Sequence, residues 1–144
     1  SAAALEGLLG LNGALAGGAL GPKTREAIAL AVSQANSCDY CLSAHTMLGK
    51  GAGLTDTDIM LARQGSAKDA KTAAIVEFAR SLVNSRGNAT EAEVAALRKA
   101  GLGNGEIVEV IANVVLDIFT NYVNKVAATD IDFPVVRASE RAAA

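Results

Sequence analysis

From Asn104 to Ala128 apolar residues recur at helical spacing, at Ile107, Val108, Ile111, Val114, Val115, Ile118, Phe119, Tyr122, Val123 and Val126, with no proline among them. Side chains three and four apart share one face of a helix, so a run of this length is satisfied as a helix and not as a strand. Its stripe is too wide to rest on one neighbour, which makes this helix either central to the fold or shared across a subunit interface. Glu109, Asn113 and Asp117 interrupt the stretch from Ile107 to Phe119, so it is not a membrane span.

The rest of the chain shows the same period. Leu5, Leu8, Leu9, Leu11 and Leu15 mark an N-terminal helix over about residues 4–16, closed by Gly17-Gly18 and Gly21-Pro22. Its expected place is on the core or on a neighbouring subunit. Pro22 sits where a first helical turn tolerates it, and a second helix follows to about Asn36. A third runs from about Cys38 to Lys50, where Gly49-Lys-Gly-Ala-Gly53 supplies residues that accept left-handed conformations. Thr55 with Asp58, and Thr90 with Glu93, read as capping boxes that start short helices. Between them Ser66 is expected to open the helix that carries Val76, Phe78, Leu82 and Val83. No stretch alternates with period two and no repeat is visible. Hydrophobic residues make up 51% of the chain and aromatics only 3%, which suits closely packed helices. The expected architecture is all-α, a single domain of about six or seven helices. Its core spans about 20–135, residues 1–20 form an N-terminal helix and Gly-rich linker, and 136–144 form a frayed tail.

The chemistry is concentrated between Glu26 and His45. This window holds both cysteines, Cys38 and Cys41, and the only histidine. On a helix, Cys38, Cys41 and His45 share a face, and Cys41 with His45 is an (i, i+4) pair, close enough for the imidazole to serve that thiol as a base. A break near Ser37 would fold the two helices into an antiparallel hairpin, setting Glu26 about one turn from His45, where a carboxylate fixes the ring's tautomer and raises its basicity. A thiolate attacks peroxides and disulfides. The sulfenic acid that peroxide leaves behind condenses with a nearby second thiol. The window therefore reads as a dithiol redox centre with its own base.

Other readings of a CxxC weigh less. A zinc finger needs a second pair of ligands, and the chain has no second CxxC and no second histidine; a single set of Cys38, Cys41, His45 and Glu26 is the remaining metal alternative. A bridge closing so short a loop stabilises little, so it is reactive rather than architectural. A thioredoxin-like centre needs its motif after a strand, and none is present. A net charge of −2 gives no basic field for nucleic acid. Two cysteines in one CxxC point to a reducing compartment, taken here as cytoplasmic, rather than to a secreted disulfide framework. No basic n-region of an export signal heads the sequence.

Glutamate, eleven residues, CxxC, three residues and histidine stand complete as Glu26, Cys38, Cys41 and His45. In this pattern the chain resembles the alkylhydroperoxidase D-like (AhpD-like) group of the carboxymuconolactone decarboxylase superfamily. Thr120 to Ala127 and Asp130-Ile-Asp-Phe-Pro134 are similar to that group's C-terminal signature. The resemblance implies an all-helical AhpD-like fold, a homo-oligomer such as a trimer or hexamer, and a peroxidase using neither haem nor metal. By that likeness Cys41 is the peroxidatic thiol, Cys38 the resolving thiol, His45 the base and Glu26 the group that relays or orients the proton. The implied partners are a hydroperoxide and an external dithiol, a thioredoxin-like or lipoyl reductant. Where some relatives carry histidine this chain has Tyr40 and Lys125, which implies a shorter relay. The helix dipole alone favours Cys38 as the low-pKa thiol; base proximity favours Cys41. The alternative functions are a disulfide reductase, a carboxymuconolactone decarboxylase-like lyase, and a non-enzymatic redox-sensing oligomer.

Overall fold

The computed structural model describes residues 1–139 and contains, among them, seven helices and no strand. They are α1 (Ala2–Ala16), α2 (Pro22–Ala35), α3 (Asp39–Gly51), α4 (Asp56–Arg63), α5 (Ala70–Ser85), α6 (Glu91–Lys99) and α7 (Asn104–Ala127).

The central helix is α2, not α7. Every residue from Ala27 to Ser33 is buried, and α2 packs against α3, α4, α5 and α7. Its two sides feed two cores. Ile28 and Val32 join Ile75, Phe78, Leu97 and Val110, while Ala27, Leu30 and Ala31 meet Leu42, Ile59 and Val76. Burial of each large aliphatic side chain in these clusters contributes about 1.5–3 kcal/mol, and the small alanines of α2 let its neighbours approach closely.

Local signals fix the helix starts. Both capping boxes form: Thr55 and Thr90 accept from the backbone N–H of Asp58 and Glu93, whose carboxylates reach back to the cap N–H groups. The α5 start differs from expectation. The helix begins at Ala70, because the Asp69 carboxylate accepts from Thr72 N at 2.9 Å and takes the N-cap place expected of Ser66. Gly53, at φ 93°, closes α3 in the left-handed region. Between α1 and α2, Glu109 of α7 accepts from Ala19 N at 2.8 Å and Leu20 N at 3.3 Å. A Cβ on Gly18 would stand 2.5 Å from that carboxylate, so a larger residue there would push the Glu109 side chain off these amides.

The tail after α7 is held further along than expected. Val136 N donates to Ser43 Oγ at 2.9 Å, Ala138 N donates to Asp39 Oδ1 at 2.8 Å, and Gln34 donates to Ala138 O at 2.9 Å. Fraying therefore does not begin at Val136; the remainder of the expected frayed end, 140–144, lies outside the described residues. Among the described residues no helix is long and apolar enough to cross a membrane.

α7 presents two unlike faces. At 100° per residue, Asn113, Asp117, Asn121 and Asn124 fall on the side turned to α2 and α3, and the first three are buried. On the opposite side Val108, Ile111, Val115, Phe119, Tyr122 and Val126 form an exposed apolar stripe.

Candidate functional site: a CxxC disulfide beside a carboxylate–imidazole pair

The hairpin that builds the site is a helix stop followed at once by a helix start. Ser37, at φ 51°, takes the left-handed position after α2; its N–H donates to Gln34 O at 3.1 Å and that of Cys38 to Ser33 O at 2.9 Å. This is a Schellman closure with serine where glycine is usual. Cys38 then serves as the N-cap of α3, its sulfur accepting from Cys41 N at 3.3 Å. It is thus a cap rather than a residue of the helix, and the cap geometry brings its side chain over the first turn. The two sulfurs are joined in a disulfide across a Cα–Cα distance of 5.3 Å. Both cysteines are buried. Asn124 of α7 donates to Cys41 Sγ at 3.6 Å.

The hairpin also delivers the second pair. His45 Nδ1 lies 2.8 Å from Glu26 Oε2, with both side chains about four-fifths buried. With Nδ1–H donating to the carboxylate, the lone pair of the neutral ring stands on Nε2. Burial pulls the imidazole pKa down, but the Glu26 hydrogen bond and the charges of Asp117 and Glu26 outweigh it, and the net shift is upward. Glu26, Cys38, Cys41 and His45 therefore occupy one hairpin, with the acid paired to the ring and the sulfurs to each other.

Asp117 and Asn124 are additions that the sequence reading did not place at the site. Burial pushes the Asp117 carboxyl up to about 7; the charge of Glu26 adds to this, while His45 and Arg25 oppose it. A signal was available: four polar residues at helical spacing along an otherwise apolar helix mark a buried polar seam. Tyr40 and Lys125 stand outside the pair. The Tyr40 ring meets Phe133 edge-on at 5.6 Å, and its hydroxyl is raised above its ordinary value by burial, then by the charge and hydrogen bond of Asp132. Lys125 Nζ donates to Asn36 O at 2.7 Å, capping the C-terminal end of α2.

Cys38, and not Cys41, lines a shallow pocket of ≈190 Å³ together with Tyr40, Asn124 and Lys125 among others. A larger cavity, ≈630 Å³ between α5 and α6, contains none of these groups. With the sulfurs bonded to each other neither is free as a thiolate ligand, and among the described residues no three His, Cys, Asp or Glu side chains are grouped to hold a metal.

Fold and site together define an all-helical CxxC dithiol protein. The chain belongs to the carboxymuconolactone decarboxylase family, whose model matches residues 2–82, and its fold is AhpD-like. An uncharacterised peroxidase-related protein of Silicibacter sp. TM1040 superposes with a TM-score of 0.80 at 21% identity, over 99% of this chain and 74% of that one. A protein of unknown function from Agrobacterium tumefaciens, provisionally assigned to AhpD antioxidant defence, gives 0.82 at 18% identity over 94% of both chains. A debrominase solved with 2,3,4-tribromopyrrole gives 0.77 at 18% identity, over 88% of this chain and 69% of that one. No curated protein matches the chain in sequence.

Proposed function

We propose that this protein is a thiol peroxidase that reduces hydroperoxides through a dithiol–disulfide cycle at Cys38 and Cys41. The observation that carries the reading is the bonded pair of buried sulfurs on the hairpin that also pairs His45 with Glu26. In the reduced protein His45 Nε2 takes the Cys41 proton. The thiolate attacks one peroxide oxygen and the O–O bond breaks. That oxygen stays on sulfur as sulfenic acid, and the other leaves as alkoxide, taking the proton back from His45 to become the alcohol. Cys38 then displaces water from the sulfenic acid, closing the disulfide. An external dithiol, a thioredoxin-like or lipoyl protein, reopens it by exchange. Glu26 holds the ring with Nε2 free throughout.

Cys41 is the attacking thiol in this scheme. Helix-dipole reasoning favours Cys38, but Cys38 caps α3 from outside it, whereas Cys41 has the imidazole one turn on and an amide donor, Asn124, on its sulfur. A reducing compartment, the cytoplasm, suits a thiol pair that must be restored each turnover. The apolar outer stripe of α7 supports a homo-oligomer, a trimer or hexamer.

The test is hydroperoxide consumption with a dithiol reductant. Cys41→Ser is expected to abolish it. Cys38→Ser is expected to stop cycling after one equivalent and leave a dimedone-reactive sulfenic acid on Cys41, and His45→Asn to slow the first step by on the order of a hundredfold. Dimedone labelling of Cys38 in a Cys41→Ser protein would reverse the assignment. Disulfide exchange without peroxide consumption would favour a reductase.

A further inference from the structure

We infer that Asp117 is a positioning residue for the His45 base: a buried carboxyl on α7 that acts with Glu26 on the imidazole and sets the charge it carries. The inference deepens the reading above by assigning the site a second acid, and it rests on that reading for its catalytic meaning.

The placement is fixed from both ends of the α7 seam. One turn before Asp117, Asn113 accepts from Arg25 Nε at 3.1 Å, and Arg25 is the chain neighbour of Glu26. One turn after it, Asn121 donates to Ser33 Oγ at 3.3 Å and accepts from Asn36 at 2.9 Å. Asn124 continues the seam onto the Cys41 sulfur. Asp117 is thus held between these contacts, on the face of α7 turned to the hairpin that carries Glu26 and His45, close enough for their charges to act on it. It is only 8% exposed, and among the described residues its carboxyl makes neither a salt bridge nor a side-chain hydrogen bond. A buried carboxyl without such a partner is costly to ionise unless a cation stands near.

The charged groups that act on it are His45 from α3 and Glu26 and Arg25 from α2; α1 and α5, packed on other sides of α7, contribute none. When Asp117 is ionised, the imidazolium faces two carboxylates. When it is neutral, Glu26 alone supports that charge. Its protonation therefore changes the cost of moving the Cys41 proton onto the ring, and each group's midpoint depends on the state of the other.

The chain has a single histidine, so one imidazole is read without ambiguity by NMR. The oxidised protein is the right sample, because its disulfide leaves no thiol to titrate and no peroxide chemistry enters. Asp117→Asn is expected to lower the His45 midpoint by about one unit, and Asp117→Glu to restore part of it. In the unaltered protein, the carboxyl carbon of labelled Asp117 and the ring of His45 are expected each to carry the other's inflection. An unmoved His45 midpoint in Asp117→Asn, with Glu26→Gln moving it, overturns the proposal. So do independent titration curves in the unaltered protein, which decide the matter even if the variant does not fold. A protein that passes these tests yet consumes no hydroperoxide would retain the coupled acids and lose only the peroxidase reading.

Discussion

Asp117 and His45 place the pH sensitivity of this protein in a window that its other shifted carboxyls do not reach. Asp58, Asp69, Glu93 and Glu106 are held below their ordinary values by caps and lysine partners, so what they contribute is lost only on the acid side. Asp117 runs the other way. Its folded value, about 7, lies above the ordinary 3.8, so the native state binds the extra proton and stability falls as pH rises between those values. His45, also raised, contributes stability below its ordinary 6.5 that is lost as pH passes its folded value. Both effects have one sign. The urea midpoint is expected to drop as pH rises from about 4.5 to about 7, where Asp117 is the carboxyl in play, and Asp117→Asn to flatten most of that slope. A flat profile in the unaltered protein would contradict it. The hairpin residues were legible in the sequence because their relations are local: Cys38, Cys41 and His45 lie within two turns, and Glu26 comes opposite through one break at Ser37. Asp117 and Asn124 were not, because they reach the site from a helix about 80 residues away; read along the chain, Asp117 only spoils an apolar run.

At the scale of elements, α3 is braced from a direction that only the tertiary fold supplies. Asp39 in its first turn accepts from Ala138 N and pairs with Arg137 at 3.3 Å, while buried Ser43, one turn on, accepts from Val136 N and donates to Asp39 O. These bonds strap the tail across the helix that carries the CxxC, and Phe133 against Tyr40 extends the strap. Ser43→Ala leaves the Val136 N–H without its acceptor. The expected cost is about 1 kcal/mol, with faster hydrogen exchange at Val136 and Ala138 and little change in the α5–α6 half; unchanged exchange at those two amides would show that the strap does not depend on Ser43. Capping boxes announce their helices within four residues, which is why the α4 and α6 starts could be read directly. Asp69 and Ser66 are both good caps three residues apart, and the choice fell to the geometry of the Thr72 N–H. The bracing of residues 136–138 has no local signal, since an alanine-rich end looks frayed until its partners on α3 are known.

Along the molecule's longest helix a polar seam runs through the buried side and an apolar stripe along the exposed one. The inner seam of α7 carries Asn113, Asp117, Asn121 and Asn124, and its outer stripe carries Val108, Ile111, Val115, Phe119, Tyr122 and Val126, with Val115 55% and Phe119 43% exposed. Leu5 and Leu9 of α1 widen the exposed apolar area. The sequence showed the breadth of this stripe and left two explanations, a central helix or a subunit interface. With α2 at the centre, the second is the explanation that the proposed homo-oligomer supplies for the outer face. A contiguous apolar band along a full helix is larger than a monomer ordinarily leaves in water, and covering it with further copies of the chain removes that area at about 25 cal/mol per Å² before the cost of association. The same contact would press on the helix whose inner face holds Asn124 on the Cys41 sulfur, coupling assembly to the site. The proposed homo-oligomer is expected to appear as a multiple of the 14.6 kDa chain by light scattering at micromolar concentration. Val115→Asp, or Phe119→Asp, introduces an outward charge that the isolated fold tolerates and a buried interface does not, so each is expected to shift the mass to the monomer with helical content unchanged. A mass that is already monomeric in the unaltered protein, or that neither charge reduces, would leave this face without the partner proposed for it.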